Sequence, residues 1–292
     1  MIGTTGRQRV SNWAFEQIEI FHPPLPEQWR IAEILTSVDE AIAATEALIE
    51  QTKRVKQGVL RQLLTRGIGH TRFKQTEIGE IPAGWEVAPL GNIATFQPGY
   101  AFKSSEFVSN GVRLLRGSNV GVETTDWRDE ITKFFPPERI GEFYEYVLNI
   151  GDIVIAMDRP FISEGFKVVR IKDTDLPALL LQRVGRFLPR KQCDPDWLWQ
   201  VVSVGTLRVH LEQHQVGTDL PHISRNDIEK CLLAIPPLEE QKRIARYVAD
   251  MDRLVELDKR RLSLIKSAKS ALMPDLLMGR KRVTLSSESV VA

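Results

Sequence analysis

Apolar positions recur with a period of 3.5 along residues 31–63. Ile31, Leu35, Val38, Ile42, Ile49, Val59 and Leu63 lie on this seam, interrupted by Thr45, Thr52 and Lys56. Residues 244–276 repeat the pattern in phase at an offset of 213. Ile244, Val248, Met251, Val255, Leu262, Ile265, Leu272 and Leu276 carry the second seam, interrupted by Asp258 and Lys269. Such a seam is the mark of helices that supercoil about each other, and a polar residue within it costs stability while fixing register. Each helix would run roughly 60 Å at 1.5 Å per residue. An amphipathic helix on a globular core gives a similar stripe, but seldom one so long. The pattern therefore predicts a helix-pairing seam that includes Leu35, Val38, Ile42 and Ile49 on one helix and Val248, Met251, Val255 and Leu262 on the other.

A shared decapeptide opens both helices. Pro23-Pro24-Leu25-Pro26-Glu27-Gln28-Trp29-Arg30-Ile31-Ala32 matches Pro236-Pro237-Leu238-Glu239-Glu240-Gln241-Lys242-Arg243-Ile244-Ala245 at eight of ten positions. A period this long excludes a solenoid and reads as one unit used twice around a large insert. Proline suits a first helical turn, and Gly67 and Gly69 supply a stop. The match extends upstream: Val10-Ser11 and Ile18 correspond to Ile223-Ser224 and Cys231, and Gly3-Thr4 resembles Gly217-Thr218. Residues 1–22 thus read as the C-terminal stub of a first domain, 23–69 as the first long helix and 236–283 as the second. Pro274 should bend or fray the last turns of the second helix. The Ser-rich residues 284–292 read as a disordered tail.

Within residues 70–235 the period shortens. The run from Thr76 to Val87 is a connector rich in Gly and Pro turns, and Trp85 opens a globular domain. Strand-like runs cover Ile93–Phe96, Val112–Leu115, Asp152–Met157 and Phe166–Ile171, and Leu179–Leu188 reads as buried strand. Pro195–Leu211 is apolar at helical spacing. This is a mixed α/β domain of short strands.

Composition changes the picture little. Hydrophobic residues make up 42% and charged residues 26% of 292, as in an ordinary globular chain. No apolar run is long enough to span a bilayer, and there is no signal-peptide pattern, so the expectation is a cytoplasmic protein. Cys193 and Cys231 are too few for a disulfide framework. Net charge is +1 overall, but 12 basic against 7 acidic residues give +5 over 236–283, while 18 against 22 give −4 over 74–235. A nucleic-acid interface in the middle segment would need its basic residues gathered on one face.

The order of motifs resembles a known family. Ile78-Gly79-Glu80-Ile81-Pro82-Ala83-Gly84-Trp85 precedes a domain with Gly99 and Phe102, Arg116-Gly117-Ser118-Asn119 and Gly151-Asp152-Ile153-Val154. The domain closes on Ile223-Ser224 and the second Pro-Pro-Leu-x-Glu-Gln element. The chain resembles the specificity subunit of type I restriction-modification systems. That resemblance implies an α+β fold, a mixed α/β target recognition domain flanked by two long antiparallel coiled-coil helices. It implies that the recognition domain reads one half of a bipartite site in double-stranded DNA. The helices would act as a spacer and dock methyltransferase (modification) subunits and, through them, the restriction subunit. The family normally has two recognition domains; with one whole domain, this chain either forms a homodimer through the long helices or complements another fragment. S-adenosylmethionine, and ATP with magnesium, would be bound by partner subunits.

Neither a catalytic set nor a nucleotide loop is legible, and His210, His214 and His222 lack the ligand set of a zinc site. DNA contacts need donors. Lys103, Arg113, Arg116, Ser118 and Asn119 cluster after Pro98, with Tyr100 and Phe102 placed to pack on sugar or a thymine methyl group. Arg159 and Arg225 are further candidates. Arginine suits guanine and asparagine adenine, whereas lysine and serine mostly serve phosphates. The same residues read equally as core aromatics and a solvated basic face. Arg183 and Arg186, which flank an apolar run, also read as structural. A non-enzymatic DNA reader, an inactive coiled-coil module and a stand-alone enzyme remain as three readings. Only the last lacks any supporting residue.

Overall fold

A computed structural model describes residues 21–214 and 222–283. The anticipated stub before residue 21, the Gly217-Thr218 pair and the tail lie outside them. In chain order the elements are α1 (Leu25–Arg66), β1 (Phe73–Thr76), β2 (Gly79–Pro82), β3 (Glu86–Pro89), β4 (Ala94–Pro98), β5 (Val112–Leu115), β6 (Lys133–Phe135), β7 (Ile153–Ala156), β8 (Phe161–Ile162), β9 (Gly165–Phe166), β10 (Val168–Arg170), β11 (Ala178–Leu180) and β12 (Val184–Pro189), then α2 (Pro195–Ser203), α3 (Thr206–His214), α4 (Arg225–Glu229), β13 (Leu232–Ile235) and α5 (Leu238–Leu277). The chain divides into two compact units, residues 1–55 with 251–292, and residues 56–250.

In the first unit, α1 and α5 run antiparallel. Lys269 pairs with Asp39 at 2.5 Å and Lys266 with Glu46 at 2.7 Å, so numbers rise on one helix as they fall on the other. The seam residues on both helices are buried or half-buried, as the 3.5-residue spacing requires. The polar interruptions are accommodated: the Thr45 hydroxyl donates to the carbonyl of Ala41, and Lys269 reaches out to Asp39. The α5 helix continues through Pro274 to Leu277.

The repeated decapeptides make the same contacts in their separate units. The Gln241 amide donates to the carbonyl of Pro236 at 2.9 Å, and the Gln28 amide to that of Pro23 at 2.8 Å. Glu240, at the start of α5, accepts from the Ile68 N–H, from His70 Nε2 and from Trp85 Nε1, all within 2.9 Å. Glu27, at the start of α1, accepts from the Arg282 guanidinium at 2.7 Å and from the Val283 N–H. Each latch carboxylate meets chain just past the C-terminus of the other long helix. Gly67 and Gly279 end those helices with φ of 65° and 68°, a conformation that glycine alone adopts without strain. At Gly67 a Cβ would also fall 2.5 Å from the Glu240 carboxylate.

In the second unit, β10-β7-β12-β4 form one sheet and β11-β5-β6 another. β7 reads Ile-Val-Ile-Ala because both of its faces are buried. Ile153 and Ile155 face a core shared with Trp85, Trp197, Leu198 and Ile244, whereas Val154 and Ala156 face Leu115, Ala178, Leu180 and Val184. Strand alternation places successive residues in these two layers. A third cluster, Phe102, Leu114, Phe135 and Leu179, lies on the far side of the second sheet.

Several sequence expectations are corrected. Leu179–Leu188 is two strands in different sheets, β11 and β12, because Arg183 turns the chain at φ 70°. Pro195–Leu211 is two helices, broken at Val204-Gly205. The connector holds a β1–β2 hairpin, and β3 pairs with β13.

Cys193 and Cys231 are buried free thiols, and burial pushes each up to about 12. An ordinary thiol ionises near 8.5, so thiolate at pH 8 is suppressed on the order of 10³-fold. Iodoacetamide should leave both unlabelled in the native chain and label both in denaturant, as read by intact mass. Rapid native labelling would contradict their burial.

Candidate nucleic-acid interface

One end of the sheets collects the strand ends. β12 runs antiparallel to β7 (Val184 opposite Ala156) and to β4 (Gly185 opposite Pro98). β11 runs parallel to β5, with Leu180 opposite Leu115, and β10 antiparallel to β7, with Val168 opposite Ile155. The C-terminal ends of β4, β5, β7 and β11 and the N-terminal ends of β10 and β12 therefore share one edge. Backbone hydrogen bonds knit the loops there: Gln182 N–H to Tyr100 O at 2.8 Å, Leu181 N–H to Leu115 O at 3.1 Å and Met157 N–H to Arg183 O at 2.9 Å. Ile223 N–H to Met157 O, at 2.8 Å, brings His222 to the same place.

The side chains on this edge are mainly cationic. Arg183 and His222 both bind Asp158, at 3.1 and 2.6 Å. Burial works to raise the Asp158 carboxyl, but hydrogen bonds from His222 and Arg183 outweigh it and hold the group below the usual carboxylate range. Lys167 donates to the carbonyl of Gly117; burial, reinforced by the charge of Arg159, lowers its ammonium from the ordinary value. Arg159 and Ser118 are exposed, and Arg116 is half-exposed. Glu123 also reaches this edge, its N–H donating to Val168 O. Tyr100, 40% exposed, forms an aromatic shelf with Phe102, Phe143 and Tyr146 at centroid distances of 4.8–5.3 Å. Gly99 allows the approach, since a Cβ there would lie 2.2 Å from the carbonyl oxygen of Leu181.

Of the residues picked from sequence, Tyr100, Arg116, Ser118 and Arg159 come together here, and Lys103 is exposed on the next turn. Phe102 and Asn119 are inside instead, 4% and 0% exposed. Phe102 packs on Phe135, and the Asn119 side chain accepts from Arg116 N–H and donates to Asp126 O, which leaves no free edge for a base. Arg113 is turned to the carbonyl of Thr174 and the ring of Trp127. Arg225 lies along its own helix on Glu229. The spacing did not reveal Asp158, Lys167, Arg183 and His222 as one group. The polar pair Gln182-Arg183 inside an apolar run was the available signal for a turn. Arg186, 6% exposed, is structural and binds Asp152, Gln97 and the carbonyls of Val147 and Glu145.

Among the described residues no group of three or more His, Cys, Asp or Glu is placed to hold a metal. No helix among them is long and apolar enough to cross a membrane.

The described residues form a mixed-sheet domain and a pair of long antiparallel helices, and one loop edge of the domain is rich in basic side chains. The family model for the type I restriction modification DNA specificity domain matches residues 2–54 and 82–267, and the chain belongs to that family. It is 38% identical over 281 residues to the type I restriction enzyme MjaVIII specificity subunit of Methanocaldococcus jannaschii, covering 96% of this chain and 66% of that one. Over 190 residues it is 37% identical to the EcoAI specificity subunit of Escherichia coli, covering 65% of this chain and 31% of the relative. The chain thus spans less than two thirds of either relative. In fold it is similar to the HsdS subunit from Thermoanaerobacter tengcongensis, with a TM-score of 0.57 and 21% identity, covering 96% of this chain and 65% of that one.

Proposed function

We propose that this chain is the DNA sequence-recognition subunit of a type I restriction-modification complex. Its mixed-sheet domain reads one half of a bipartite site in double-stranded DNA, and the helix pair spaces the half-sites and docks methyltransferase subunits. The observation that carries the reading is the gathering of Arg116, Arg159, Lys167, Arg183 and His222 on one edge of a domain whose net charge is negative. Family membership and relatives named as specificity subunits support it. Exposed Leu254, Leu257 and Leu264 on α5 offer apolar docking area beyond the seam. The chain itself is not an enzyme. Methylation and cleavage belong to the partner subunits, which would bind S-adenosylmethionine and ATP with magnesium. The restriction subunit joins through the methyltransferase, and a second copy of this chain can supply the other half-site reader.

Binding to duplex DNA should be steeply salt-dependent. With about four phosphates engaged, affinity falls roughly 10²-fold between 50 and 200 mM salt. The net charge of −4 on residues 74–235 favours a second reading, a docking module without DNA affinity. Salt-insensitive or absent DNA binding, with methyltransferase still co-purifying, would establish the second and sink the first. A palindromic gapped methylation motif in cells expressing the chain with its modification subunit would show self-pairing, and an asymmetric one a second reader.

A further inference from the structure

The cations on the loop edge are not equivalent. Arg183 is held by Asp158 at 3.1 Å, and Lys167 is tied to the Gly117 carbonyl. Arg116 reaches the carbonyl of Ile131 at 3.4 Å. Arg159 makes no hydrogen bond or ion pair with any described residue. It is exposed and adjoins Lys167, a like charge. Its backbone is left-handed, φ 44°, a conformation that disfavours any residue with a Cβ. Bonds on both sides hold it there: Met157 N–H to Arg183 O and Ile223 N–H to Met157 O before it, and Lys167 N–H to Pro160 O at 2.7 Å after it. Pro160 is buried.

Strain maintained by surrounding bonds at an exposed charged tip, with no partner for the charge among the described residues, points to an external acceptor. A phosphate needs only a nearby cation, and Lys167 and Arg183 already supply that around the tip. A planar guanidinium on a pinned backbone offers something more, a fork that starts from a fixed point and can settle on a matching pair of acceptors. That fork matches the paired acceptors O6 and N7 of guanine in the major groove.

We propose that Arg159 is a specificity-determining residue that reads a guanine, while Arg183 and Lys167 serve the flanking phosphates. Asp158 is a positioning residue that keeps Arg183 and His222 beside the fork. This rests on the DNA-reading function proposed above.

The test is selection of duplexes from a library of randomised sequence by the full chain and its variants, with salt titration of the winners. The wild-type chain should enrich a motif containing an invariant G·C pair. Arg159→Lys keeps the charge and should lose that preference, about tenfold or more, with most of the overall affinity retained. Arg159→Gly should lose it too while raising Tm, because glycine relieves the left-handed backbone. Arg183→Ala should keep the motif, bind more weakly on every sequence and lower the salt slope by about 1. An unchanged motif in both Arg159 variants would overturn the assignment and leave DNA reading intact. No enriched motif and no salt dependence in the wild-type chain would overturn the underlying function as well.

Discussion

Aspartate in place of Leu35, Ile42 and Ile49 together should separate the paired helices of the 1–55 and 251–292 unit. Ile49 is 5% exposed, and the other two are half-buried on the same seam. Each substitution forfeits about 2 kcal/mol of apolar burial and places a carboxylate where water is scarce. The new charges also flank Asp39 and Glu46, whose partners Lys269 and Lys266 lie on the opposite helix. The sum is comparable to the whole stability of a small domain. Helical circular dichroism should fall and the hydrodynamic radius should rise. The same number of aspartates at exposed Thr36, Ala43 and Gln51 should do neither. A triple seam variant with unchanged dichroism and hydrodynamic radius would refute the coiled-coil account.

Glu240→Ala should destabilise the 56–250 unit by about 3 kcal/mol or more. One carboxylate satisfies the Ile68 N–H, the Trp85 indole N–H and His70. Trp85 is 1% exposed, so its indole N–H cannot turn to water once the acceptor is gone. Each buried donor left unpaired costs about 1–3 kcal/mol. Glu239→Ala is the control. That side chain is 81% exposed and, among the described residues, pairs with Lys242 alone, an arrangement worth little. Urea unfolding followed by tryptophan fluorescence reads both variants. A Glu240→Ala midpoint equal to that of Glu239→Ala would show that the latch is not a source of stability.

The helix pair was legible because a 3.5-residue seam is a local pattern, and Ile31 through Leu63 report their own burial by spacing alone. The matched decapeptides announced two equivalent joints, but not that Glu27 and Glu240 would each hold the end of the other helix. The loop edge was only half legible. Tyr100, Arg116, Ser118 and Arg159 stand out by residue type in turn-rich sequence. Asn119 and Phe102 stand out in the same way, yet they fill the interior. Lys167, Arg183 and His222 join them only through the registers of β7 on β10 and β12, which is long-range information. Arg183 was also masked by lying between two apolar runs that read as one strand.

The domain enters through β3 and leaves through β13, and these strands are paired, Val87 opposite Ala234 and Glu86 opposite Ile235. The Leu90 N–H donates to the carbonyl of Cys231 just inside that pair. Everything between is a closed excursion whose two cut ends are neighbours. Residues 86–235 therefore form a cassette. A different domain with the same paired ends could be joined to the helices without altering their length or seam, so the loops of the domain and the length of the helices are separable inheritances.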